Sequence, residues 1–266
     1  MNRALVCVIA VIAATISARA EDPAGPNLDI AGLKIGMGVH EAMATLKAEN
    51  PHFNINLYPH QLEGFSAPLH PFVSGEQMIG PNNDGESIDL LFTMPPSKEV
   101  VWGIKRETNY RAGNRPSTEN TLAALRAKYG PENIPATDQR TQILSWVYDD
   151  KGNLLPADKA KQLYMSCSSL LQSHFNNADV SSLNDIQLGK YGPPECSSVI
   201  LITANVLCTQ LHSTDPSVVY SLSVEINDGP LYRAAIEATR EIALRAAKAR
   251  ENKAAEDANK VAAPKL

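Results

Sequence analysis

Apolar side chains recur at helical spacing near the start of the mature-looking part of the chain. Val39, Met43 and Leu46 fall at positions i, i+4 and i+7, which is one face of an α-helix. Gly38 stands at the position of an N-cap, and Pro51 comes after the last turn. The pattern predicts a helix from residue 39 to about residue 50.

The same pattern returns later in the chain. Thr118, Leu122, Leu125 and Tyr129 occupy the equivalent positions, Ser117 replaces glycine as the N-cap, and a Gly-Pro pair ends the segment. An Asn-Ile dipeptide trails both helices. The repeated cap, stripe and dipeptide predict a second helix and indicate a tandem duplication of one module.

Alternation of apolar and polar residues marks the strands. The clearest case runs from Val218 to Asn227, where every second residue is apolar, and it predicts a strand with one buried and one solvated face. β-branched and aromatic residues predict further strands over 88–94, 100–104, 143–148 and 198–207.

The segments between these elements differ in composition. Residues 59–86 are rich in Pro, Gly, His and Asn, which predicts a long loop of the functional or mobile kind. Residues 156–175 read as a helix. After the turn at 228–230, an apolar stripe from Leu231 predicts a last helix, which projects or frays beyond residue 250 where only alanine continues the stripe.

Together these elements predict an α+β fold. Two tandem units, each a helix packed on an antiparallel sheet, precede a long C-terminal helix. The first unit covers 21–112 and includes the long loop 59–86, and the second covers 113–230. The C-terminal helix and a disordered tail take up 231–266.

The first twenty residues have the composition of a secretory signal. Arg3 provides the positive charge, an apolar run extends over 4–16, and Ala18-Arg19-Ala20 matches the small-x-small cleavage rule. The run is too short to span a bilayer comfortably. We therefore expect cleavage after Ala20, a periplasmic or secreted protein, and no stable membrane insertion.

Charge and cysteine content narrow the class of protein. The formal net charge is −5, which argues against nucleic-acid binding and against docking on anionic lipid. Cys167, Cys196 and Cys208 remain after cleavage of the signal, so an oxidising compartment favours one disulfide. The spacing leaves open which two cysteines pair.

The segment 32–42 reads Gly-Leu-Lys-Ile-Gly-Met-Gly-Val-His-Glu-Ala. With its helix, helix stop and subsequent strands, it resembles the SmpA/OmlA family and the tandem-repeat β-lactamase inhibitor proteins, over residues 35–58 and 114–148. Those families have Ser or Thr where this chain has Gly38. The resemblance implies a binding protein rather than an enzyme, and the shared positions are core and cap positions that carry no binding residue across. The whole chain also looks like exported proteins of Gram-negative bacteria.

Candidate catalytic groups are few. His52, His60 and His70 lie around the long loop, but their spacing matches no compact zinc or copper motif, and His52 and His70 suit ordinary loop positions beside prolines. Ser66 with a loop histidine and Asp84 is the only triad combination worth weighing, and the nucleophile-elbow motif is missing. A metal-binding protein and a hydrolase are therefore alternatives. We predict no cofactor and no catalytic site.

Apolar and aromatic side chains are the better candidates for binding. Tryptophans on strands fill a core or, on an open sheet face, anchor a partner, and apolar residues in the long loop tuck back or form an exposed patch. We predict a non-catalytic exported protein that binds another protein or a cell-envelope component through the concave sheet face and the long loop. The candidate binding residues are Phe65, Leu69, Phe72, Met78, Trp102 and Trp146.

Overall fold

Seven antiparallel strands form one sheet in the computed structural model, which describes residues 26, 28–60, 65–66, 69–78, 84–135, 141–176, 193–210 and 213–260. In chain order the elements are β1 (Asp29–Ile30), β2 (Leu33–Lys34), α1 (Val39–Glu49), β3 (Asn54–His60), β4 (Leu69–Met78), β5 (Gly85–Phe92), β6 (Val101–Asn109), α2 (Thr118–Tyr129), β7 (Thr141–Asp149), α3 (Ala157–Asn176), a 3₁₀ turn (Pro194–Ser198), β8 (Val199–Leu207), β9 (Thr209–Gln210), β10 (Ser213–Thr214), β11 (Ser221–Asp228) and α4 (Gly229–Lys260).

The α+β class and the long C-terminal helix are confirmed. The sheet order is β3-β4-β5-β6-β11-β8-β7, so the strands that come after α1 form one half and those that come after α2 form the other. The halves join where β6 pairs with β11, from Asn109 beside Ser221 to Gly103 beside Asn227. The result is a single continuous sheet.

Successive residues of each strand point to opposite faces, and both faces are covered. The first face carries Leu90, Trp146 and Ile202 and packs against α1, α2 and the segment before α1. The second face carries Leu201 and Trp102 and packs against α3 and the start of α4. The sheet therefore separates two hydrophobic cores.

Both predicted N-caps begin their helices. Ser117 Oγ accepts a hydrogen bond from the Asn120 amide at 3.1 Å, whereas Gly38 has no side chain with which to cap α1. Each cap residue also forms an isolated β-bridge. Gly38 bridges to Val100, just before β6, and Ser117 bridges to Val218, in the turn before β11. The two helices thus enter the fold through equivalent contacts.

The prediction of a continuous loop over 59–86 is wrong in its middle. Residues Leu69–Met78 form β4, which pairs with β3 on one side and with β5 on the other. Gly75 lies where α1 crosses this strand, because a Cβ there would meet Leu46 Cδ2 at 2.9 Å. Pro, Gly and His in this segment suggest a loop, but neighbouring strands on both sides stabilise the extended backbone.

The solvated face predicted for β11 is also wrong near its end. Glu225 and Asn227 are buried, although the alternation puts them on the polar side. Their side chains point to the second face, which α3 and α4 cover. The alternation is real, but the chain provides a second layer of helices over it.

The cysteine pairing left open by the sequence is settled. Cys167 of α3 bonds to Cys196 of the 3₁₀ turn, and Cys208 is a free, buried thiol. The side chains over 248–260 in α4 are all exposed, so this end projects from the domain. Within the described residues, no helix combines the length and the apolar content needed to cross a bilayer.

Candidate binding cleft

A cleft of about 480 Å³ opens on the first face, above the two central strands. We call it the central cleft. Leu222 and Val224 of β11 and Thr108 of β6 form its floor, and α2 and the turn after β1 form its walls. Its apolar lining comprises Ile30, Ala31, Ala124, Leu125, Leu222 and Val224.

The cleft remains open because the two helices above it pack toward opposite ends of the sheet. Leu46 of α1 lies against Gly75 of β4. At the other end, Tyr129 of α2 packs against Trp146 of β7, with ring centroids 5.4 Å apart. Leu125, Lys128 and Tyr129 of α2 line one side of the cleft, whereas no residue of α1 lines it, so the floor at the junction of β6 and β11 is only partly covered.

Ion pairs hold the walls and the rim. Lys128 Nζ lies 2.8 Å from Asp29 Oδ1, and the Tyr129 hydroxyl donates to the Asp29 carbonyl at 3.0 Å. Arg106 pairs with Glu86, and its guanidinium lies 3.4 Å from Glu49 Oε1. The positive charges that line the cleft are therefore balanced by carboxylates outside it.

Two tyrosines supply polar atoms to the cleft, in addition to those of Arg106, Thr108, Asn120, Thr121 and Lys128. Burial raises the pKa of Tyr110, and the Arg106 charge opposes that shift. Burial also raises the pKa of Tyr129 well above its ordinary value, with a further contribution from Asp29. Both hydroxyls thus stay protonated at neutral pH and act as hydrogen-bond donors.

The tryptophans among the predicted binding residues lie inside the two cores. Trp146 is fully buried on the first face, and its Nε1–H donates to the Gly130 carbonyl at 2.9 Å. Trp102 is buried on the second face, 4.3 Å from Tyr232 between ring centroids, and edge-on to His174. Neither indole exposes surface for a partner, so we leave both outside the candidate site.

The four predicted residues from the long loop have different positions. Phe65 and Phe72 are partly buried and pack at the margin of the second core. Leu69 is the first residue of β4, and its side chain lies outside the described part. Met78 ends β4 with 56% of its surface exposed. They do not line the central cleft.

The histidine hypotheses find no support in the described residues, which contain no group of three His, Cys, Asp or Glu side chains that could hold a metal ion. His52 precedes β3 and His60 ends it, so an extended strand separates them by roughly 20 Å or more. The side chains of His60 and His70 lie outside the described residues. The Asp84 carboxylate forms an ion pair with Arg111 at 3.8 Å, which is an ordinary surface interaction.

Sequence reasoning missed the cleft although it identified most of its floor. The alternation along β11 places Leu222 and Val224 on an apolar face. It does not reveal that β6 is their neighbour, nor that α1 and α2 diverge above them. Arg106 has the sequence context of an ordinary surface charge, whereas it lies on the cleft floor.

Compared with known proteins, the chain matches no protein-family model, no curated protein and no solved structure. The resemblance to SmpA/OmlA and β-lactamase inhibitor modules therefore stays a prediction.

Proposed function

We propose that this protein is a non-catalytic, exported binding protein whose central cleft receives an apolar group of a partner protein. The observation that carries the proposal is the cleft itself, an apolar depression of about 480 Å³ over the middle of the sheet. Sites of this size and character are typical of ligand binding.

The chemistry of the lining supports binding rather than catalysis. Among the described residues that line the cleft there is no carboxylate, histidine or cysteine. Histidine and carboxylates are common general acid–base groups and cysteine is a common nucleophile, so a lining without them favours binding. Tyr110, whose raised pKa keeps its hydroxyl protonated, offers a donor that orients a ligand without reacting with it, whereas the Tyr129 hydroxyl already donates to the Asp29 carbonyl.

The polar atoms at the cleft favour a ligand with acceptors beside its apolar part. Tyr110, Asn120 and Arg106 contribute N–H and O–H groups around the apolar floor. A side chain inserted from a partner protein brings backbone carbonyls with it, which suit these donors. A cell-envelope component with an apolar group and acceptor oxygens is the alternative ligand.

A tryptophan placed on the wall tests whether the cleft binds. Ala124 is exposed and lines the cleft, whereas the neighbouring Ala123 is exposed and does not. We expect Ala124→Trp to fill the cleft and to weaken binding of the probe dye anilinonaphthalene sulfonate about tenfold. Ala123→Trp is the matched control and keeps the affinity of the unchanged protein. Equal dye binding by both variants contradicts the proposal.

The partner is best sought with a photo-crosslinking residue at the same two positions in living cells. We expect a defined adduct from position 124 and none from position 123. A ladder of identical adducts from both positions indicates random collision and argues against the cleft as the binding site.

Export is the second part of the proposal. The signal-like residues 1–20 and the Cys167–Cys196 disulfide, which oxidising compartments favour, both support it. Expressed in a Gram-negative host, the protein is expected in the periplasm or medium with Glu21 as its first residue, as read by mass spectrometry. Ala20→Phe is expected to leave the signal attached. A full-length cytoplasmic product from the unchanged gene refutes this part.

The equivalent entry of α1 and α2 into the sheet supports the further idea that the two halves arose by duplication. In that case the central cleft lies at the junction of the two copies. Ligand sites commonly form at such junctions between structural units.

A further inference from the structure

One edge of the sheet is closed by its own chain. Along β7, Ile134 and Ser145 exchange backbone hydrogen bonds of 3.2 and 3.1 Å. The Asn133 side chain makes two hydrogen bonds to the backbone of Val147. Its Nδ2 donates to the Val147 carbonyl oxygen at 2.9 Å, and its Oδ1 accepts from the Val147 amide at 3.0 Å. The Leu155 amide also donates to the Val147 carbonyl, at 2.9 Å. The outward backbone groups of Ser145 and Val147 are thereby satisfied, which prevents this part of β7 from pairing with another chain.

The opposite edge is open within the described part of the chain. Among the described residues, β3 pairs only with β4. Leu57 and Tyr58 are 41% and 38% exposed. Antiparallel pairing alternates inward and outward backbone groups. The strand registers align Ser145, whose backbone groups point outward from β7, with Asn56 of β3. Applied across these six strand pairs, the alternation directs the backbone groups of Asn56 toward β4. The N–H and C=O groups of its neighbours Ile55 and Leu57 therefore point away from the sheet.

The usual protection of an edge strand is weak here. Residues Asn54–Pro59 contain no charged side chain, whereas a lysine commonly blocks pairing at an exposed edge. Pro59 removes one donor near the end of the strand and leaves the donors of Ile55 and Leu57. The edge can therefore hydrogen-bond to an added strand over its central residues.

A groove of about 600 Å³ runs beside this edge, between β3 and the first turns of α1. Val39, Met43 and Leu57 provide its apolar surface. Glu41 and Glu99 lie at the same groove, together with His40. Two carboxylates beside an apolar surface complement a ligand that pairs an apolar side chain with a cation.

We propose that the open edge of β3 binds an extended segment of another protein as an eighth strand of the sheet. Main-chain hydrogen bonds to Ile55 and Leu57 provide affinity, and the groove provides specificity. Because strand residues two apart share a face, the segment carries an apolar residue for the groove and a Lys or Arg two positions away for Glu41. This surface is separate from the central cleft, so failure of one proposal leaves the other intact.

A short synthetic peptide with threonine at odd positions and valine and lysine in turn at even positions is the probe, because it places valine and lysine two residues apart on one face; it is added to the full chain purified from its own compartment. We expect it to bind, and we expect a valine–glutamate peptide to bind at least tenfold more weakly. A valine–lysine peptide with N-methylated backbone amides keeps every side chain and loses the hydrogen bonds, so we expect no binding. Amide hydrogen exchange is expected to be fast at Ile55 and Leu57 in the free protein and slowed by the peptide.

Two variants locate the site. Leu57→Lys adds the missing edge charge, and Glu41→Lys reverses the charge of the groove; each is expected to weaken binding about tenfold. Glu119→Lys makes the same charge change at a first-turn glutamate of α2 that does not line the groove, and it is expected to leave binding unchanged. The folded state of each variant is checked by its circular dichroism spectrum and thermal unfolding midpoint.

Several outcomes overturn the proposal. Equal binding of the N-methylated peptide excludes strand addition, and equal binding by Leu57→Lys places the peptide elsewhere. Slow exchange at Ile55 and Leu57 in the free protein shows that the edge is already covered. A concentration-dependent dimer that Leu57→Lys abolishes identifies the occupant as a second copy of this chain rather than another protein.

Discussion

At the scale of single residues, the most unusual feature is a row of polar side chains across the second face. We call it the polar row; it runs through Asn56, Ser74, Asp89, Lys105, Glu225, Thr203 and Ser145, one residue from each strand in register. Ser145 and Thr203 are buried, and their hydroxyl oxygens have no hydrogen-bond partner among the described residues. Glu225 Oε2 is likewise buried and has no hydrogen-bond partner among the described residues. Polar groups in this position destabilise the folded state unless water reaches them.

Glu225 dominates the electrostatics of the polar row. Burial raises its pKa to about 7; Lys105, 3.8 Å away, opposes the shift, and the carboxylates of Glu107 and Asp89 add to it. Burial also raises the pKa of Asp89, against the effect of its hydrogen bond from Ser74. Both carboxyls are therefore more easily protonated in the folded protein than in the unfolded chain.

This arrangement predicts a loss of stability as the pH rises. A carboxyl whose pKa is raised on folding stabilises the folded state while it is protonated there, and this contribution disappears as the pH passes the folded pKa of about 7. The cost of the buried charge at pH 8.5 is about 3 kcal/mol relative to acidic pH. Glu225→Gln cannot ionise, so we expect it to remove most of the pH dependence and to stabilise the protein at pH 8.5.

The free energies of unfolding in urea at pH 5.5 and at pH 8.5 are expected to differ by about 2 kcal/mol, because the unfolded carboxyl, with its ordinary pKa of 4.5, is already mostly ionised at pH 5.5. Glu251→Gln is the control, because Glu251 is exposed on the projecting end of α4 and does not contribute to the pKa shift of Glu225. A free energy of unfolding that falls equally with pH in the unchanged protein and in Glu225→Gln shows that Glu225 does not carry the effect.

At the scale of the elements, the two edge strands differ in the segments that flank them. Both segments beside β7 in the chain return alongside it, with Asn133 in the one before the strand and Leu155 in the one after it. Asn54 has the place of Asn133 in the repeated pattern, but it is an exposed residue at the start of β3. The same dipeptide therefore has different roles in the two halves.

Asn133→Ala is expected to lower the free energy of unfolding by about 2 kcal/mol, since it leaves the Val147 amide without a partner. Asn54→Ala, the matched change at the other edge, is expected to cost less than about 0.5 kcal/mol. Chemical denaturation gives both values, and hydrogen exchange at Val147 is expected to quicken in Asn133→Ala alone. Equal costs for the two variants contradict this account of the edges.

At the scale of the whole molecule, one sheet separates two cores that are stabilised differently. The first core relies on packing of α1 and α2 and on contacts of the segment before α1. The second depends on a covalent link, because the Cys167–Cys196 bond ties α3 to the turn that leads into β8. The ends of this bond are 29 residues apart, so it restricts a sizeable loop of the unfolded chain.

Replacing both Cys167 and Cys196 by alanine is expected to cost about 3 kcal/mol through the added freedom of the unfolded chain. A reducing agent is expected to lower the thermal midpoint of the unchanged protein and to leave that of the double variant unaltered. Cys208→Ala is the control: its thiol is buried and unpaired, so the response to reductant should persist. An unchanged protein that ignores reductant argues against the disulfide.

Local patterns in the sequence determined the elements. Helical spacing identified α1 and α2 to within a residue, as at Val39 and Tyr129, and alternation identified five strands of the main sheet. Capping and side-chain periodicity act between residues close in the chain, so they are legible without a structure.

Tertiary structure decided whatever depends on residues distant in the chain. The pairing of Cys167 with Cys196, the burial of Glu225 and the strand at 69–78 all required knowledge of which elements lie side by side. The central cleft and the open edge of β3 arise for the same reason. A cleft forms where neighbouring elements do not pack against each other, and an edge forms where no further strand pairs. Both depend on the relative positions of several elements, which no single segment of the sequence determines.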